Sequence, residues 1–410
     1  MGGMRRWRNL GIAAGATAAV LFAAFDVYQW AIAYASDHFH NDFTFYYAAA
    51  VIGVTHGWPS LYDLGRQQAQ LDAMGSGIGI AQLARYISPP PVAWLALPFT
   101  LLPYPFAYWL WSAFLLAALV GTWFFAAPGA GRRRLIHLVA ALGWLPVIYG
   151  LQLGQPGMLV AFGVASSYAL LRSGRQLESG LALGLIVLKP QLGFLVPVAL
   201  LVAGRYRAFA GAMAAIGLLA LASALSVGAQ GIATYEQRLT FAAGVSVNRE
   251  LTLAPYIGDL TVTRLLQGAI AVWALALVFR FRKRSPEWIF VPAVVGGLLA
   301  SPYLHIDDVV MLGLAAWLYL RIPGRPAWTW ALVLALVIAG EGITEWGPLP
   351  LIAVEFALLL VFSIAALKHD DPDAEHDRAK RELDAGLQRN REDPAVDGQP
   401  ETIDQRAGSA

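Results

Sequence analysis

The residues best suited to chemistry lie in short polar segments between long apolar runs. The first segment, residues 37–63, opens with carboxylates and imidazoles and continues into aromatic and small apolar residues. Within it, Asn41 or Asp42 can cap a helix over residues 43–55, which His56 and Gly57 would end. Such a helix is too short to span a membrane and would lie in the interface. A carboxylate held there is a candidate general base, so Asp42 is the leading candidate for catalysis.

Other polar residues occur in short segments at the same predicted face of the membrane. Ionisable groups at membrane depth are costly and are candidates for function by default. These residues are Gln155 in a Gly-Gln-Pro turn, Lys189 before a proline, His305 with Asp307 and Asp308, and Asn248, Arg249 and Glu250 in a long loop. We expect most of them to converge on Asp42.

Several of these residues also have an ordinary structural interpretation. Asp42 can act only as a helix cap, and Gln155 only as a polar turn residue. The Lys189 side chain can extend to the lipid headgroups, and His305 and Asp308 can form a structural pair. The sequence leaves these alternatives open.

Taken together, the residue types suit displacement at the anomeric carbon of a sugar. Asp42 would take the proton of an attacking hydroxyl. A departing lipid phosphate needs positive charge, for which Lys189 and His305 are the candidates. A single base predicts inversion, since the paired carboxylates of retaining enzymes are not evident. No cofactor is implied, although a divalent cation held by Asp42, His305 and Asp308 stays open.

The composition is that of a membrane protein. Of the 410 residues, 58% are hydrophobic and 14% are charged, and the mean hydropathy is +0.55. Soluble proteins contain about 45–50% apolar and about 25% charged residues. The chain is therefore predicted to be an all-α polytopic membrane protein. Because it contains no cysteine, disulfides, thiolate metal sites and cysteine nucleophiles are excluded.

The distribution of Lys and Arg predicts a topology, because these residues collect on the cytoplasmic side. About twelve spans with both termini in the cytoplasm place nearly every basic cluster inside. The apolar run near the N-terminus is expected to remain as the first span, since no convincing cleavage site follows it. The predicted spans are residues 11–35, 103–127, 135–153, 157–172, 176–189, 191–204, 208–227, 260–282, 286–301, 308–322, 327–341 and 348–367.

The predicted membrane domain covers residues 1–368 and includes one large outer loop. This loop, residues 36–90, is expected to hold two juxtamembrane helices, the second over 64–74. The proline-broken stretch 91–102 is too short to span and is expected to enter the membrane only partly. The charged residues 369–410 predict a disordered cytoplasmic tail.

A series of motifs occurs in order along residues 10–365. They are Asp42-Phe-x-x-Tyr46-Tyr47-Ala48 with His-Gly-x-Pro-x-Leu-Tyr62-Asp63 and Tyr86-x-x-Pro-Pro, then Gly154-Gln155-Pro-Gly, then Leu188-Lys189-Pro190-Gln191, and finally Ser301-Pro302-Tyr303-Leu304-His305 with an acidic pair. In this order they resemble glycosyltransferase family 87. These are the polyprenyl-phosphate-mannose-dependent α-mannosyltransferase-like proteins, also catalogued as domain of unknown function 2029.

The resemblance implies a GT-C type fold in a bacterial inner membrane. It implies a polyprenyl-phosphate sugar donor that enters from the bilayer, and catalysis on the periplasmic or extracellular side. The sugar would be a hexose, which is mannose in the better-studied branch, and the acceptor would be a lipid or a glycan of the cell envelope. No nucleic-acid partner is expected.

The resemblance also implies roles for single residues. Asp42 matches the acidic residue of the first loop that serves as base. From their charge alone, Lys189 and His305 are expected to bind the donor phosphate. The residues expected to contact substrate are Tyr46, Gln155 and Asp308. The last motif reads His305-Ile306-Asp307-Asp308 instead of the expected His-Asp-Tyr-Asp. Whether Asp307 or Asp308 faces the site therefore stays open.

Two other functional classes are compatible with a chain of this kind. A transporter or flippase for lipid-linked sugars would also have about twelve helices and intramembrane charges. However, no pair of matching Gly/Pro-broken segments indicates inverted repeats, and the polar residues collect at one face rather than at the midplane. A non-catalytic assembly partner would not need a carboxylate in a reactive position.

Overall fold

The structure is a computed structural model that describes residues 2–81 and 83–369. Helices account for its regular structure, and no β-strand occurs within this part of the chain. The predicted all-α class is therefore confirmed. Most of the predicted tail, residues 370–410, lies outside the described residues.

The α-helices are labelled here in chain order. They are α1 (Gly2–Ser36), α2 (Phe43–His56), α3 (Leu64–Ala73), α4 (Pro90–Ala96), α5 (Tyr104–Ala126), α6 (Gly131–Leu142), α7 (Leu145–Leu153), α8 (Gly157–Arg172), α9 (Gln176–Ala182), α10 (Leu195–Val202), α11 (Tyr206–Gly244), α12 (Ala254–Ile257), α13 (Leu260–Arg280), α14 (Glu287–Leu299), α15 (Val310–Leu320), α16 (Trp330–Glu341), α17 (Ile343–Trp346) and α18 (Leu349–His369). Short 3-10 helices lie between them, at Trp58–Ser60, Leu97–Leu101, Leu183–Leu188, Pro190–Leu192, Ser246–Arg249, Ile306–Val309 and Ala327–Thr329.

Among the described helices, 5 are long and apolar enough to cross a membrane. They are Ala13–Ser36 of α1, Tyr104–Ala126, Tyr206–Gly244, Leu260–Arg280 and Leu349–Lys368. The pair α6 and α7 forms a further span if both parts cross together, although they are bent by 60°. All of these segments overlap predicted spans, and the chain is a polytopic membrane protein.

The predicted number of about twelve spans is not shown by helix length. Most of the remaining predicted spans are apolar helices of 10–17 residues, such as α8 and α14, and α10 has only 8 residues, whereas a straight crossing takes about 20 residues. Glycine and proline break these segments, as Gly143 does between α6 and α7 and as Pro190 does after Lys189. The number of crossings therefore stays a prediction.

The helix α11 differs from the prediction, which ended the span at 227 and placed residues 228–259 in an outer loop. The helix instead continues to Gly244, because residues 229–244 contain many good helix formers such as Ala, Gln, Glu and Leu. Gly228 adopts φ 63°, a left-handed conformation that interrupts the helical geometry inside α11. The helix thus consists of two parts joined at Gly228.

The segment between α1 and α5, predicted as the first outer loop, contains the two predicted helices. α2 and α3 begin at the predicted residues, and Asp63 caps α3 by accepting a hydrogen bond from the Arg66 N–H at 2.8 Å. α2 is covered by protein on most sides, since α3 and α4 pack against it and Phe43 and Ala49 are completely buried. The first turn of α2 is therefore held in a fixed position.

Candidate active site

Asp42 stands at the N-terminus of α2 but does not cap it with its side chain. Its backbone N–H donates to the carbonyl of Leu153 at 2.9 Å, and its carboxylate makes no hydrogen bond to the first turn of α2. Instead, Asp42 Oδ2 accepts a hydrogen bond from Gln155 Nε2. The carboxylate is thus available for a role other than capping.

Gln155 belongs to a tight turn that holds it against Asp42. Gly154 adopts φ 73° and lies so close to α2 that a Cβ on it would be 2.8 Å from the Cβ of Phe43. Trp111 fixes the turn from α5 by donating from Nε1 to the carbonyl of Gly154 at 2.8 Å. Tyr46 donates from its hydroxyl to Gln155 Oε1 at 3.2 Å. Asp42, Gln155 and Tyr46 therefore form one hydrogen-bonded chain.

Lys189 lies between two 3-10 helices and is buried, with 9% of its surface exposed. Its Nζ donates to Asp307 Oδ2 at 2.5 Å and to Asp308 Oδ1 at 2.6 Å. Both carboxylates are buried as well, at 2% and 0% exposed. Burial opposes the charge of Lys189, but the two carboxylates outweigh this effect and raise its pKa. The side chain does not extend to the headgroups.

Asp307 and Asp308 both face Lys189, but their second oxygens differ. Asp308 Oδ2 accepts the backbone N–H of His305 at 3.0 Å. Asp307 Oδ1 is buried and has no hydrogen-bond partner among the described residues. The sequence left open which of the two faces the site. In the structure, Asp307 is the residue with an oxygen that remains free to accept a further hydrogen bond.

His305 is joined to the loop that follows α11. Its Nε2 lies 3.1 Å from Asn248 Oδ1 and 2.9 Å from the Tyr303 hydroxyl. Asn248 is itself fixed by donating from Nδ2 to the carbonyl of Ala242 at 2.7 Å. Burial lowers the pKa of His305 and so favours its neutral imidazole. Asn248 is 57 residues away from His305 in the sequence, and Tyr303 is close but carries no charge. Neither contact with His305 was therefore predicted.

The turn between α7 and α8 joins the two halves of the site. A Cβ on Gly150 would lie 3.3 Å from the Cβ of Asp307, and a Cβ on Gly157 would lie 3.6 Å from its carbonyl oxygen. The same turn accepts the Asp42 N–H through Leu153. The structure therefore brings Asp42, Gln155, Tyr46, Lys189, His305, Asp307 and Asp308 into one region. Arg249 and Glu250, also considered in the sequence, make no side-chain hydrogen bond to these residues within the part of the chain that the structure describes.

The charges in this region act on Asp42. Burial raises the pKa of Asp42 to about 6, and the negative charge of Asp307 adds to this effect. Lys189, His305 and the hydrogen bond from Gln155 oppose it. A carboxyl group with this pKa is mostly ionised at neutral pH and is more basic than an ordinary aspartate, as a general base requires.

An apolar groove of about 350 Å³ adjoins this region. It lies between the first outer loop, the residues on both sides of Lys189, and α11 around Gly228. Its wall includes Tyr62, Pro90, Val187, Pro190, Val227 and Tyr235. Tyr62 and Tyr235 stack with their ring centroids 4.5 Å apart. Within the described chain, no group of three or more His, Asp and Glu residues is placed to hold a metal ion.

Comparison with known proteins assigns the chain to a family. The family model described as Glycosyltransferase family 87 matches residues 86–302, more than half of the 410 residues. The matched range contains Gln155 and Lys189, while Asp42 precedes it and His305 follows it. No curated protein and no solved structure gives a significant match. The chain, with its polar site beside an apolar groove, belongs to glycosyltransferase family 87 and is a membrane glycosyltransferase.

Proposed function

We propose that this protein transfers a hexose from a polyprenyl-phosphate donor to a lipid or glycan acceptor, with inversion and with Asp42 as the general base. Mannose is the expected sugar, as in the better-studied branch of the family. The observation that carries the proposal is the Asp42 carboxylate, which is turned away from its own helix and tied to Gln155, in the field of Lys189 and Asp307.

In the proposed step, the acceptor hydroxyl attacks the anomeric carbon as its proton passes to Asp42. The new C–O bond forms on the face opposite the bond to the phosphate, which breaks and leaves its electron pair on the phosphate oxygen. A single displacement inverts the anomeric centre. Gln155 holds the carboxylate and is itself held by Tyr46. The base is thereby fixed before substrate arrives, which lowers the entropic cost of the reaction.

The departing phosphate gains charge and needs hydrogen-bond donors. The ammonium of Lys189 has three N–H donors, and Asp307 and Asp308 occupy two of them. We assign the third donor to the phosphate. Because burial favours the neutral form of His305, its imidazole contributes a hydrogen bond rather than a full charge. Lys189 is therefore the main cation for the donor.

The apolar groove suits the lipid part of the donor. It lies beside Lys189 through Val187 and Pro190, so an isoprenoid segment in the groove would place its phosphate near the ammonium. Each buried CH₂ group contributes about 0.8 kcal/mol. The groove thus favours a long hydrocarbon chain over a water-soluble nucleotide donor.

The proposal includes the predicted GT-C type topology. The membrane domain would have about twelve crossings, with both termini in the cytoplasm of a bacterial cell and the Asp42 region on the periplasmic side. Residues 1–368 would form this domain. The basic ends of α8, α13 and α15 support this orientation, since Arg172, Arg280 and Arg321 then lie inside.

The test is label transfer by purified protein from a panel of radiolabelled polyprenyl-phosphate hexoses into endogenous lipid or glycan. Asp42→Asn should reduce transfer by at least about 100-fold, since general bases contribute about 10²–10⁴-fold. Asp72→Asn changes an exposed carboxylate of the same loop and should leave transfer unchanged. Full activity of Asp42→Asn would remove Asp42 from the mechanism. Donor movement across vesicles without any transfer by the unmodified protein would instead indicate a flippase.

A further inference from the structure

A second cavity lies between the C-terminal end of α1, the turn that precedes Asp42, and α5. Its volume is about 240 Å³. Its wall includes Trp30, Tyr34, Asp37, His40, Tyr108 and Gln152. None of these residues lines the apolar groove, and the mechanism proposed above uses none of them.

One wall of this cavity consists of aromatic rings in fixed positions. Tyr34 and Tyr108 stack with their ring centroids 4.3 Å apart. Trp30 meets Tyr108 edge-on and donates from Nε1 to its hydroxyl at 2.5 Å. The Tyr108 hydroxyl in turn donates to the main-chain carbonyl of Gln152 at 2.7 Å. The wall is therefore pre-organised and offers apolar ring surface.

The polar groups around the cavity are not fully used. The side-chain amide of Gln152 has no hydrogen-bond partner among the described residues, and it offers both a donor and an acceptor. Asp37 uses Oδ1 to accept the Phe39 N–H at 3.0 Å, while Oδ2 is 3.7 Å from His40 Nδ1. An amide and a carboxylate can thus both bind hydroxyl groups of a ligand.

The chemistry of the lining selects among ligands. The residues that line the cavity include a carboxylate but neither Lys nor Arg, which disfavours phosphate. Unpaired polar groups disfavour a hydrocarbon chain, because burying them without partners is costly. Small-molecule pockets usually measure roughly 300–1,000 Å³, so this cavity has room for a single ring. A neutral ring with several hydroxyl groups meets these requirements of charge, polarity and size.

The cavity lies next to the backbone of Asp42. Asn41, which also lines it, directly precedes Asp42, and Gln152 precedes the Leu153 carbonyl that accepts the Asp42 N–H. Consecutive Cα atoms are about 3.8 Å apart, so residues of the cavity wall lie one residue from Asp42 and one residue from its hydrogen-bond partner Leu153 along the chain. We propose that this cavity binds a hexose unit of the acceptor, adjacent to the unit whose hydroxyl attacks. This inference rests on the function proposed above.

The test measures sugar binding separately from transfer. Saturation-transfer NMR with methyl α-mannopyranoside is carried out on purified full-length protein in lipid nanodiscs. Gln152→Ala removes the amide but not the carbonyl that Tyr108 uses, and it should weaken binding by about fivefold, the value of one hydrogen bond. Asp37→Asn is the second variant and keeps the Oδ1 acceptor. Gln70→Ala, in the same segment between α1 and α5 as Asp37, is the matched control and should bind the probe normally.

Each outcome decides a separate point. If Asp42→Asn loses transfer but still binds the probe, while Gln152→Ala binds it about fivefold more weakly, both the base and the acceptor cavity are supported. If both Gln152→Ala and Asp37→Asn bind the probe like the unmodified protein, the acceptor cavity is refuted and the role of Asp42 is untouched. Two unlabelled competitors, myo-inositol and methyl glucoside, are compared for displacement of the probe. Competition by myo-inositol as strong as that by methyl glucoside would assign the cavity to a lipid headgroup and overturn the acceptor assignment. Displacement of the probe by inorganic phosphate would also overturn it.

Discussion

Two groups of buried charges lie at opposite ends of α8 and α15. At the start of these helices, Lys189 faces Asp307 and Asp308. At their end, Glu287 is held by Tyr168 at 2.5 Å and by Arg172 at 3.1 Å. In the first group one ammonium meets two carboxylates, whereas in the second one carboxylate meets guanidinium groups.

The two groups differ in what happens to the surplus charge. Arg172 and Arg321 stand at the C-terminal ends of α8 and α15, where the helix dipole favours cations, and the side chain of Arg172 is 53% exposed. Water and headgroups can therefore solvate the surplus positive charge. The two carboxylates that share Lys189 are both buried. One oxygen of Asp307 lacks a hydrogen-bond partner among the described residues, as does one oxygen of Glu287, but Glu287 lies beside a half-exposed cation whereas Asp307 lies beside the buried Lys189. Because buried unpaired charge is costly, this arrangement indicates a site that substrate completes.

The largest effect is expected from removing the cation of each group in turn. Lys189→Met leaves two buried carboxylates without a partner, which costs about 3–5 kcal/mol, and it removes the proposed phosphate donor. We expect loss of transfer together with a clear fall in thermal stability. Arg172→Met removes a half-exposed cation while Tyr168 and Arg321 remain beside the buried Glu287, so it should cost less stability than Lys189→Met and should retain transfer. Label transfer and thermal unfolding in detergent measure both, and an equal loss of activity in the two variants would abolish the distinction.

A second test concerns the pH dependence of transfer. Burial raises the pKa of Asp42 to about 6, and the base acts only when it is ionised. The value of kcat/KM should therefore be nearly constant above pH 7 and fall about tenfold between pH 7 and pH 5. The residual activity of Asp42→Asn should lack this inflection. A profile that stays flat down to pH 5 would contradict the assigned base.

A third test separates Asp307 from Asp308. Asp308 binds both Lys189 and the backbone of His305, while Asp307 keeps one oxygen free. Asp308→Asn should therefore lower the unfolding temperature more than Asp307→Asn. Asp307→Asn should show the larger loss of kcat/KM relative to its loss of stability. The reverse order in both measurements would show that Asp308 is the residue that meets substrate.

The smallest effect on activity is expected from a test of orientation. Because the chain contains no cysteine, single cysteines report without background. Ala73→Cys in the first loop and Ser173→Cys after α8 both change exposed residues and should leave transfer intact. A membrane-impermeant maleimide should label Ala73→Cys in intact spheroplasts, and Ser173→Cys only after lysis. Equal labelling in intact spheroplasts would show that the two charged groups do not face opposite sides.

The sequence predicted local features of the site better than long-range ones. Asp42, Gln155 and Lys189 were recognised because a polar residue in an apolar chain is costly, and α2 was recognised from the polar residues that precede it and from its glycine stop. The length of α11 was missed, since a glycine such as Gly228 usually ends a helix. The pairing of His305 with Asn248 depends on where α11 ends, because Asn248 lies in the segment that directly follows this helix. Composition alone does not reveal such a contact.

Gly228 affects more than the course of the backbone. Val227 and Ile232, on either side of this residue, both line the apolar groove. One wall of the groove is thus made of the two parts of α11, which meet at a kink. A residue with a side chain at position 228 would be strained, because φ of Gly228 is positive. The width of the groove proposed for a lipid tail therefore depends on the backbone torsion angle φ of Gly228. Relatives that differ at this joint should accept hydrocarbon chains of a different width, even with the same reactive groups.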